Sequence, residues 1–268
     1  MMIKLSIIPK KSLGQNFLIN PRISDKIVAT AEISKDDTIL EVGPGTGSLT
    51  KKLLGKAKKV IAVEKDQRLI ADLKNKFKEL KNVEIIEGDI LKFKVDDLKL
   101  KDFGYKIVAN IPYYITSKFL KIIFEKCPRP KLIVLTIQKE VAQRIVAKPP
   151  HMNLLALSVQ FYSQPKIISY ISKQNFRPVP KVDSAIIKLT PINRYERSVR
   201  IYTDEFFKVT KAGFSQKRKL LINNLKKLRA KESQLEEIFK NLKISKKSRA
   251  ENLGLKDWIK LVDELEFH

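Results

Sequence analysis

The sequence predicts an α/β chain whose last quarter is all helical, and three observations carry that expectation. First, an apolar run, Ile39, Leu40 and Val42, stops at Gly43, Gly45 and Gly47 and passes into helical spacing at Leu49, Leu53 and Leu54. A buried strand, a tight glycine turn and a helix start are the parts of a nucleotide-cofactor site. Second, strand-length apolar runs and helical spacings alternate over the following residues. Third, beyond a boundary between Pro191 and Tyr202 only helical spacings recur.

Composition narrows the class. A chain of 268 residues has room for one or two domains with a sizeable core. Its formal charge of +25 and pI of about 9.9 are expected of a protein that meets a polyanion. The basic residues run along both halves of the chain, so the sequence alone defines no single patch. One cysteine, Cys127, excludes an internal disulfide and a CxxC metal site. Two histidines, His151 and His268, are too few for a His-rich metal site, and no metal is expected. No apolar run approaches the length of a membrane span, and the patch at Leu5, Ile7 and Ile8 is broken by Pro9. A soluble, cytoplasmic protein is therefore expected.

The elements follow in order. Lys10 to Leu18 is a basic loop with one glycine, two amides (Gln15, Asn16) and an apolar pair (Phe17, Leu18). It either simply enters a helix or binds a polar ligand that the apolar pair covers. Asn20 can cap, and Pro21 can open, a helix. The glycine turn reads E-x-G-x-G-x-G and lacks the G-x-G-x-x-G spacing that suits a pyrophosphate. Glu41, just before it, is a poor neighbour for phosphates, so the turn fits a cofactor without them, S-adenosylmethionine first. Lys59 to Val63 is a second strand that ends at Glu64, an acid placed to accept two ribose hydroxyls. Gln67 to Leu80 has the spacing of an amphipathic helix. Val83 to Ile86 is a third strand, followed by Asp89, whose carboxylate is placed to accept an adenine amine.

A fourth strand, Lys106 to Ala109, runs into Asn110-Ile111-Pro112-Tyr113. The amine of adenine is a poor nucleophile because its lone pair is delocalised into the ring. Two acceptors, the Asn110 side-chain oxygen and the Ile111 carbonyl, would favour a pyramidal nitrogen with a free lone pair. Pro112 fixes the turn, and Tyr113 offers a face for stacking. Read alone, the tetrapeptide is better taken as an ordinary strand-ending turn. In the last part of the chain three helical stripes recur: Phe206, Val209 and Gly213; Leu221, Leu225 and Leu228; Leu235, Ile238 and Leu242. A final stripe holds Leu255, Trp258, Ile259, Val262 and Leu265. These are the core of a helical bundle.

The chain resembles the KsgA-type small-subunit ribosomal RNA adenine N6-dimethyltransferases, relatives of the Erm methyltransferases. The matching residues are K-x-L-G-Q-N-F-L (Lys11 to Leu18), E-V-G-P-G-T-G-S-L-T (Glu41 to Thr50), Glu64, Gly88-Asp89 and N-I-P-Y-Y-I-T-S (Asn110 to Ser117). Others are Q-K-E-V-A-x-R (Gln138 to Arg144), F-x-P-x-P-K-V-D-S-A (Phe176 to Ala185), F-x-Q-K-R-K-x-L-x-N-N-L (Phe214 to Leu225) and R-A-E-x-L (Arg249 to Leu253).

The resemblance implies a Rossmann-like methyltransferase domain with a mainly parallel sheet over residues 1–195, then a small helical RNA-binding domain over 196–268. It implies an S-adenosylmethionine site of Gln15, Asn16, Leu18, Gly43, Gly45, Glu64, Lys65, Asp89, Ile90 and Asn110. Asn110, Ile111, Pro112, Tyr113 and Phe176 would serve the reaction, with Tyr113 and Phe176 sandwiching a flipped adenine. Phe176 with Pro178 and Pro180 also reads as an edge loop packing on the sheet. Lys217, Arg218 and Lys219 would contact RNA, with a solvated helix face as the alternative. The implied reaction dimethylates two adjacent adenosines near the 3′ end of small-subunit rRNA, on a pre-30S particle, by a monomer. Three departures touch RNA contacts and packing: Ile222 where Arg is common, Lys217 for Arg, and Leu154-Leu155 for Tyr-Gly. The rivals are an Erm-like large-subunit enzyme, a non-catalytic RNA-binding or assembly factor, and a DNA adenine methyltransferase, which lacks a target-reading domain here.

Overall fold

The computed structural model describes residues 8–10, 13–92, 98, 100–192, 203–228 and 232–265. The expected domain boundary at 195/196 and Lys11 lie outside them. The chain divides into two compact units. One comprises Met1–Ala142 with Gln164–Pro191, and the other Gln143–Ser163 with Ile192–His268.

The first unit begins with β1 (Phe17–Leu18) and α1 (Pro21–Thr30). Asn20 caps α1 by accepting from the Arg22 N–H, and Pro21 stands at its first position, where no N–H is missed. Then come β2 (Thr38–Val42), α2 (Ser48–Leu54), β3 (Lys59–Glu64), α3 (Gln67–Lys76), β4 (Val83–Glu87), β5 (Tyr105–Asn110), α4 (Thr116–Lys126), β6 (Leu132–Gln138) and α5 (Lys139–Ile145). α6 (Leu154–Tyr162) follows in sequence, then β7 (Ser163–Ile171), β8 (Phe176–Arg177) and β9 (Ser184–Pro191).

Seven strands form one sheet in the order β4-β3-β2-β5-β6-β9-β7. The pairs β3–β4, β2–β3, β2–β5 and β5–β6 are parallel, and β6–β9 is antiparallel. The parallel strands are apolar along most of their length because both sheet faces are covered. Ile39, Leu40, Val60, Ile107, Val108, Ile133 and Val134 are each at most 1% exposed. β1 and β8 form a separate two-stranded ribbon in which Leu18 faces Phe176.

α3 stops four residues before the expected Leu80. Phe77 leaves helical geometry (φ −112°, ψ 12°) with its ring packed on the glycine turn. The same contact explains Gly47: its φ is +74°, and a Cβ there would lie 2.8 Å from both Leu73 and Phe77.

In the second unit, α7 (Thr203–Gly213), α8 (Leu221–Leu225), α9 (Glu232–Asn241) and α10 (Leu255–Glu264) carry the apolar stripes inward. Phe206, Leu225, Leu235, Phe239 and Trp258 are fully buried. Phe161 of α6 stacks on Phe206 at 4.3 Å between ring centroids, which accounts for the helix 154–162 joining this unit. Gly213 lies directly against the Trp258 ring, where any Cβ would collide.

Candidate active site

The parallel strands end together, and at their carboxyl edge the first unit holds a cavity. Its walls are the loop 13–18, the glycine turn after β2, the end of β3, residues 88–90 after β4, and residues 110–115 after β5. Such a crevice is where open α/β sheets take ligands, because loops diverge there on both sides. Every residue that the sequence pointed to for the cofactor lines it, as does the whole of Asn110–Tyr113.

The glycine turn opens the floor. Gly43 and Gly45 have φ of +66° and +60°, and a Cβ on Gly43 would meet nothing within 4 Å. The backbone is thus bare toward the cavity. Glu64, at the end of β3, is 7% exposed and is held by three backbone donors. The Gly45 N–H reaches Oε2 at 3.1 Å, and the Lys65 and Asp66 N–H groups reach Oε1 at 2.8 and 3.0 Å. Burial raises the Glu64 pKa, and these donors oppose it. With one donor on Oε2, that oxygen retains acceptor capacity.

Across the cavity, Asp89 accepts from Lys65 Nζ at 2.9 Å and from the Leu91 N–H at 3.0 Å. Partial burial works against its ionisation, but the lysine and the N–H outweigh it, so its pKa is lowered.

The loop 13–18 is tied on two sides. Gln15 Nε2 donates to Asp66 Oδ2 at 2.9 Å, and Asn110 Nδ2 donates to the Asn16 carbonyl at 3.0 Å. The second bond orients the Asn110 amide. Its nitrogen is committed to the loop, while no donor among the described residues engages Oδ1. The Ile111 carbonyl likewise accepts no backbone N–H from them. The next residues turn as a 3-10 segment, Tyr113–Ile115. The Tyr113 hydroxyl is hydrogen-bonded to Ser184 Oγ at 2.5 Å, which fixes the half-buried ring.

Phe176 departs from the expectation of a second stacking face. It does not line the cavity, and it is 0% exposed within the core cluster that includes Phe17, Leu18, Ile27 and Ile186. Alternation on β8 explains this: side chains of successive residues point to opposite faces, so Phe176 is buried and Arg177 is exposed. The edge-loop alternative describes its position here.

The cavity lining also includes residues that were not among the expected site residues, Tyr114 and Glu41 among them. Tyr114 is 62% exposed on the rim, and its ring lies where a Gly14 Cβ would come within 3.0 Å. Nothing in the sequence separates it from Tyr113. Glu41 is 1% exposed, and its Oε2 has no hydrogen-bond partner. Burial, foremost, pushes its pKa up to about 8; nearby Glu64 adds to this, and the Thr50 hydroxyl opposes it. An acid between the apolar Leu40 and Val42 of a buried strand was the available signal.

The basic triplet of the second unit lies in a turn rather than on a helix face. Lys217, Arg218 and Lys219 are exposed between α7 and α8. The turn is pinned from inside by Asn224, 1% exposed, whose amide donates to the Gly213 and Gln216 carbonyls at 2.6 and 3.1 Å. Ile222, where Arg is common in the resembled family, is 7% exposed and belongs to the core.

Among the described residues no cluster of His, Cys, Asp and Glu could hold a metal, and no helix is long and apolar enough to cross a membrane. Burial pushes the Cys127 thiol up to about 11, which makes it a poor nucleophile.

The family model described as ribosomal RNA adenine dimethylase matches residues 9–266. The chain is 42% identical over 253 residues to the ribosomal RNA small subunit methyltransferase A of Dehalococcoides mccartyi (strain CBDB1), covering 94% of this chain and 87% of that one. It is 41% identical over 257 residues to the protein of the same name from Clostridium botulinum (strain Okra / Type B1), covering 94% and 92%. Among solved structures, a dimethyladenosine transferase from Plasmodium falciparum superposes with a TM-score of 0.76 at 30% identity, over 91% of this chain and 95% of that one. The 23S rRNA methyltransferase ErmE superposes with a TM-score of 0.75 at 24% identity, over 93% and 99%, and shows the shared fold. With a glycine-floored cavity at the sheet edge and a family match spanning nearly its whole length, this chain belongs to the ribosomal RNA adenine dimethylase family.

Proposed function

We propose that the protein dimethylates the N6 amines of two adjacent adenosines near the 3′ end of small-subunit rRNA, with S-adenosylmethionine as donor. It acts in the cytoplasm, as a monomer, on assembling small subunits. The observation that carries the chemistry is Asn110. Its amide nitrogen is anchored to the Asn16 carbonyl, so an oriented acceptor remains toward the cavity. The names of the Dehalococcoides and Clostridium relatives support the choice of small-subunit rRNA.

The cavity suits this cofactor on its own evidence. The open space beside Gly43 admits a ligand against bare backbone, and Glu41 Oε2 is a buried acceptor without a donor. A phosphate would bring only acceptors and more negative charge to that point. S-adenosylmethionine, when bound, supplies an electrophilic methyl group. Glu64 would take the ribose hydroxyls, with Gln15, Asn16, Leu18, Gly45, Lys65, Asp89 and Ile90 lining the rest of the cofactor site. Asn110 Oδ1 and the Ile111 carbonyl accept the two N–H bonds of the target amine, which frees its lone pair for in-line attack. Pro112 limits the motion of this turn, and Tyr113 presents the stacking face.

Glu64→Ala is expected to weaken S-adenosylmethionine about tenfold to a hundredfold, since unsatisfied hydroxyls cost about 1–3 kcal/mol. Calorimetry reads this directly, and no binding by the wild type would remove the cofactor reading.

Lys217, Arg218 and Lys219 would meet RNA phosphates from their pinned turn. Their joint neutralisation is expected to lower the log–log salt slope of RNA binding by about 0.7–0.9 for each phosphate that they pair with in the wild type. An unchanged slope would place the RNA elsewhere. The activity itself is tested by mass mapping of rRNA with and without the gene; unaltered adenosine methylation in small-subunit rRNA overturns the proposal.

A further inference from the structure

Tyr114 is a rim residue that the catalytic account leaves without a task. A single exposed apolar side chain on a protein surface needs no explanation, but two features set this one apart. The first is its place. It is 62% exposed and lines the cavity, whereas Ile8, Leu80, Tyr170 and Val179, the other large apolar side chains exposed among the described residues, stand outside it. It also follows Tyr113 directly, so the inner stacking face and this outer ring start from Cα atoms only about 3.8 Å apart.

The second feature is its bracing. A Cβ on Gly14 would lie 3.0 and 3.1 Å from Cδ1 and Cε1 of the ring, and 3.5 Å from Cβ of Pro112. Gly14, at φ +61°, therefore fits a notch between the proline and the tyrosine that a larger residue would fill only by moving the ring. Packing alone holds this ring, since no hydrogen bond among the described residues engages its hydroxyl. The Tyr113 hydroxyl, by contrast, is fixed by Ser184. A braced, outward-facing aromatic ring beside a base-binding cavity is a stacking platform.

We propose that Tyr114 stacks on the base next to the flipped adenosine, so that Tyr113 inside the cavity and Tyr114 on its rim hold two consecutive bases of the RNA. The inference rests on the reading of the substrate as two adjacent adenosines. Flipping one adenosine strips its neighbour of a stacking partner and bares one face of that base. With the target amine at Asn110, the neighbour is one nucleotide along the strand and stands at the cavity mouth. The Tyr114 ring covers the bared face there. The chain carries a formal charge of +25, and Lys118, at the start of α4, is exposed four residues on, which suits a polyanion passing this rim.

No bond is made or broken in this role. The stack is the same before and during methyl transfer, so Tyr114 contributes to RNA binding and not to the chemical step. It is a substrate-positioning residue.

The test uses the full chain and unmethylated small subunits whose rRNA keeps one adenosine of the pair. The neighbouring place holds either adenosine or an abasic residue, introduced by ligating a synthetic 3′ segment, and each place is tried in turn. Single-turnover transfer to the retained adenosine is followed against subunit concentration at saturating S-adenosylmethionine. On the intact pair, Tyr114→Ala is expected to raise the half-saturating concentration about fivefold to a hundredfold, the range for one lost base–aromatic stack, with the saturated rate kept. The abasic residue should cost the wild type as much. It should cost Tyr114→Ala nothing further, because the two changes delete the same contact. Tyr114→Phe should behave as the wild type, whereas Tyr114→Leu, apolar but without an aromatic face, should not.

Full activity of Tyr114→Leu would give the residue a packing role and overturn the stack. Additive losses from Tyr114→Ala and the abasic residue would place the neighbouring base elsewhere. Weaker S-adenosylmethionine binding by Tyr114→Ala in calorimetry, with an unchanged dependence on subunits, would make the ring a cover for the cofactor instead. If the wild type methylates the intact pair and Tyr114→Ala matches it throughout, this inference fails and the substrate reading stands. No transfer by the wild type to the intact pair sinks both.

Discussion

Asn110→Ala lowers single-turnover methyl transfer at saturating cofactor by about 10²–10³-fold, the range found when one preorganised hydrogen-bonding group is removed from a reacting centre. The alanine deletes the acceptor that the target amine needs as it becomes pyramidal, so the loss falls on the chemical step. It also deletes the bond to the Asn16 carbonyl, which ties the loop 13–18 over the cavity. Cofactor affinity is therefore expected to fall as well, and the measurement is made at saturation for that reason. Asn110→Asp separates the two roles, because it retains an acceptor but loses the Nδ2 donor. A near-normal transfer rate for Asn110→Ala would remove this residue from the reaction.

Phe176→Ala unfolds the protein early, with an expected cost of about 3–5 kcal/mol, as for large core truncations. The ring is fully buried beside Phe17, Leu18 and Ile27, and Leu18 faces it across the β1–β8 ribbon. Tyr113 should behave differently. Its ring lines the cavity, and only its hydroxyl is tied to Ser184. Tyr113→Phe is expected to retain much of the activity, whereas Tyr113→Ala should lose transfer while staying folded. Thermal unfolding beside methyl transfer distinguishes them. A Phe176→Ala variant that melts like the wild type but is inactive would return Phe176 to the adenine clamp.

The sequence exposed the elements whose signals are local. The Asn20–Pro21 helix start, the strand 38–42 with its glycine turn, and the acids closing β3 and β4 all depend on neighbours a few residues away. Their order along the chain was enough to align the cofactor side of the cavity, because parallel strands bring their ends to one edge. The four helices beyond residue 202 were visible for the same reason, as a 3.6-residue period is local.

Packing between distant segments was decided by the tertiary structure. Phe176 carries the same aromatic signal as Tyr113, and only its pairing with the N-terminal β1 turns it into the core. α3 ends at Lys76 because Phe77 packs on Gly47, thirty positions earlier. The segment 154–162 joins the second unit through Phe161 and Phe206. The basic triplet stands on a turn because a buried Asn224 holds Gly213 and Gln216. Glu41 reads as one acid in a motif until the sheet buries it without a donor. Burial is a sum over segments remote in sequence, and no local pattern in the chain reports it.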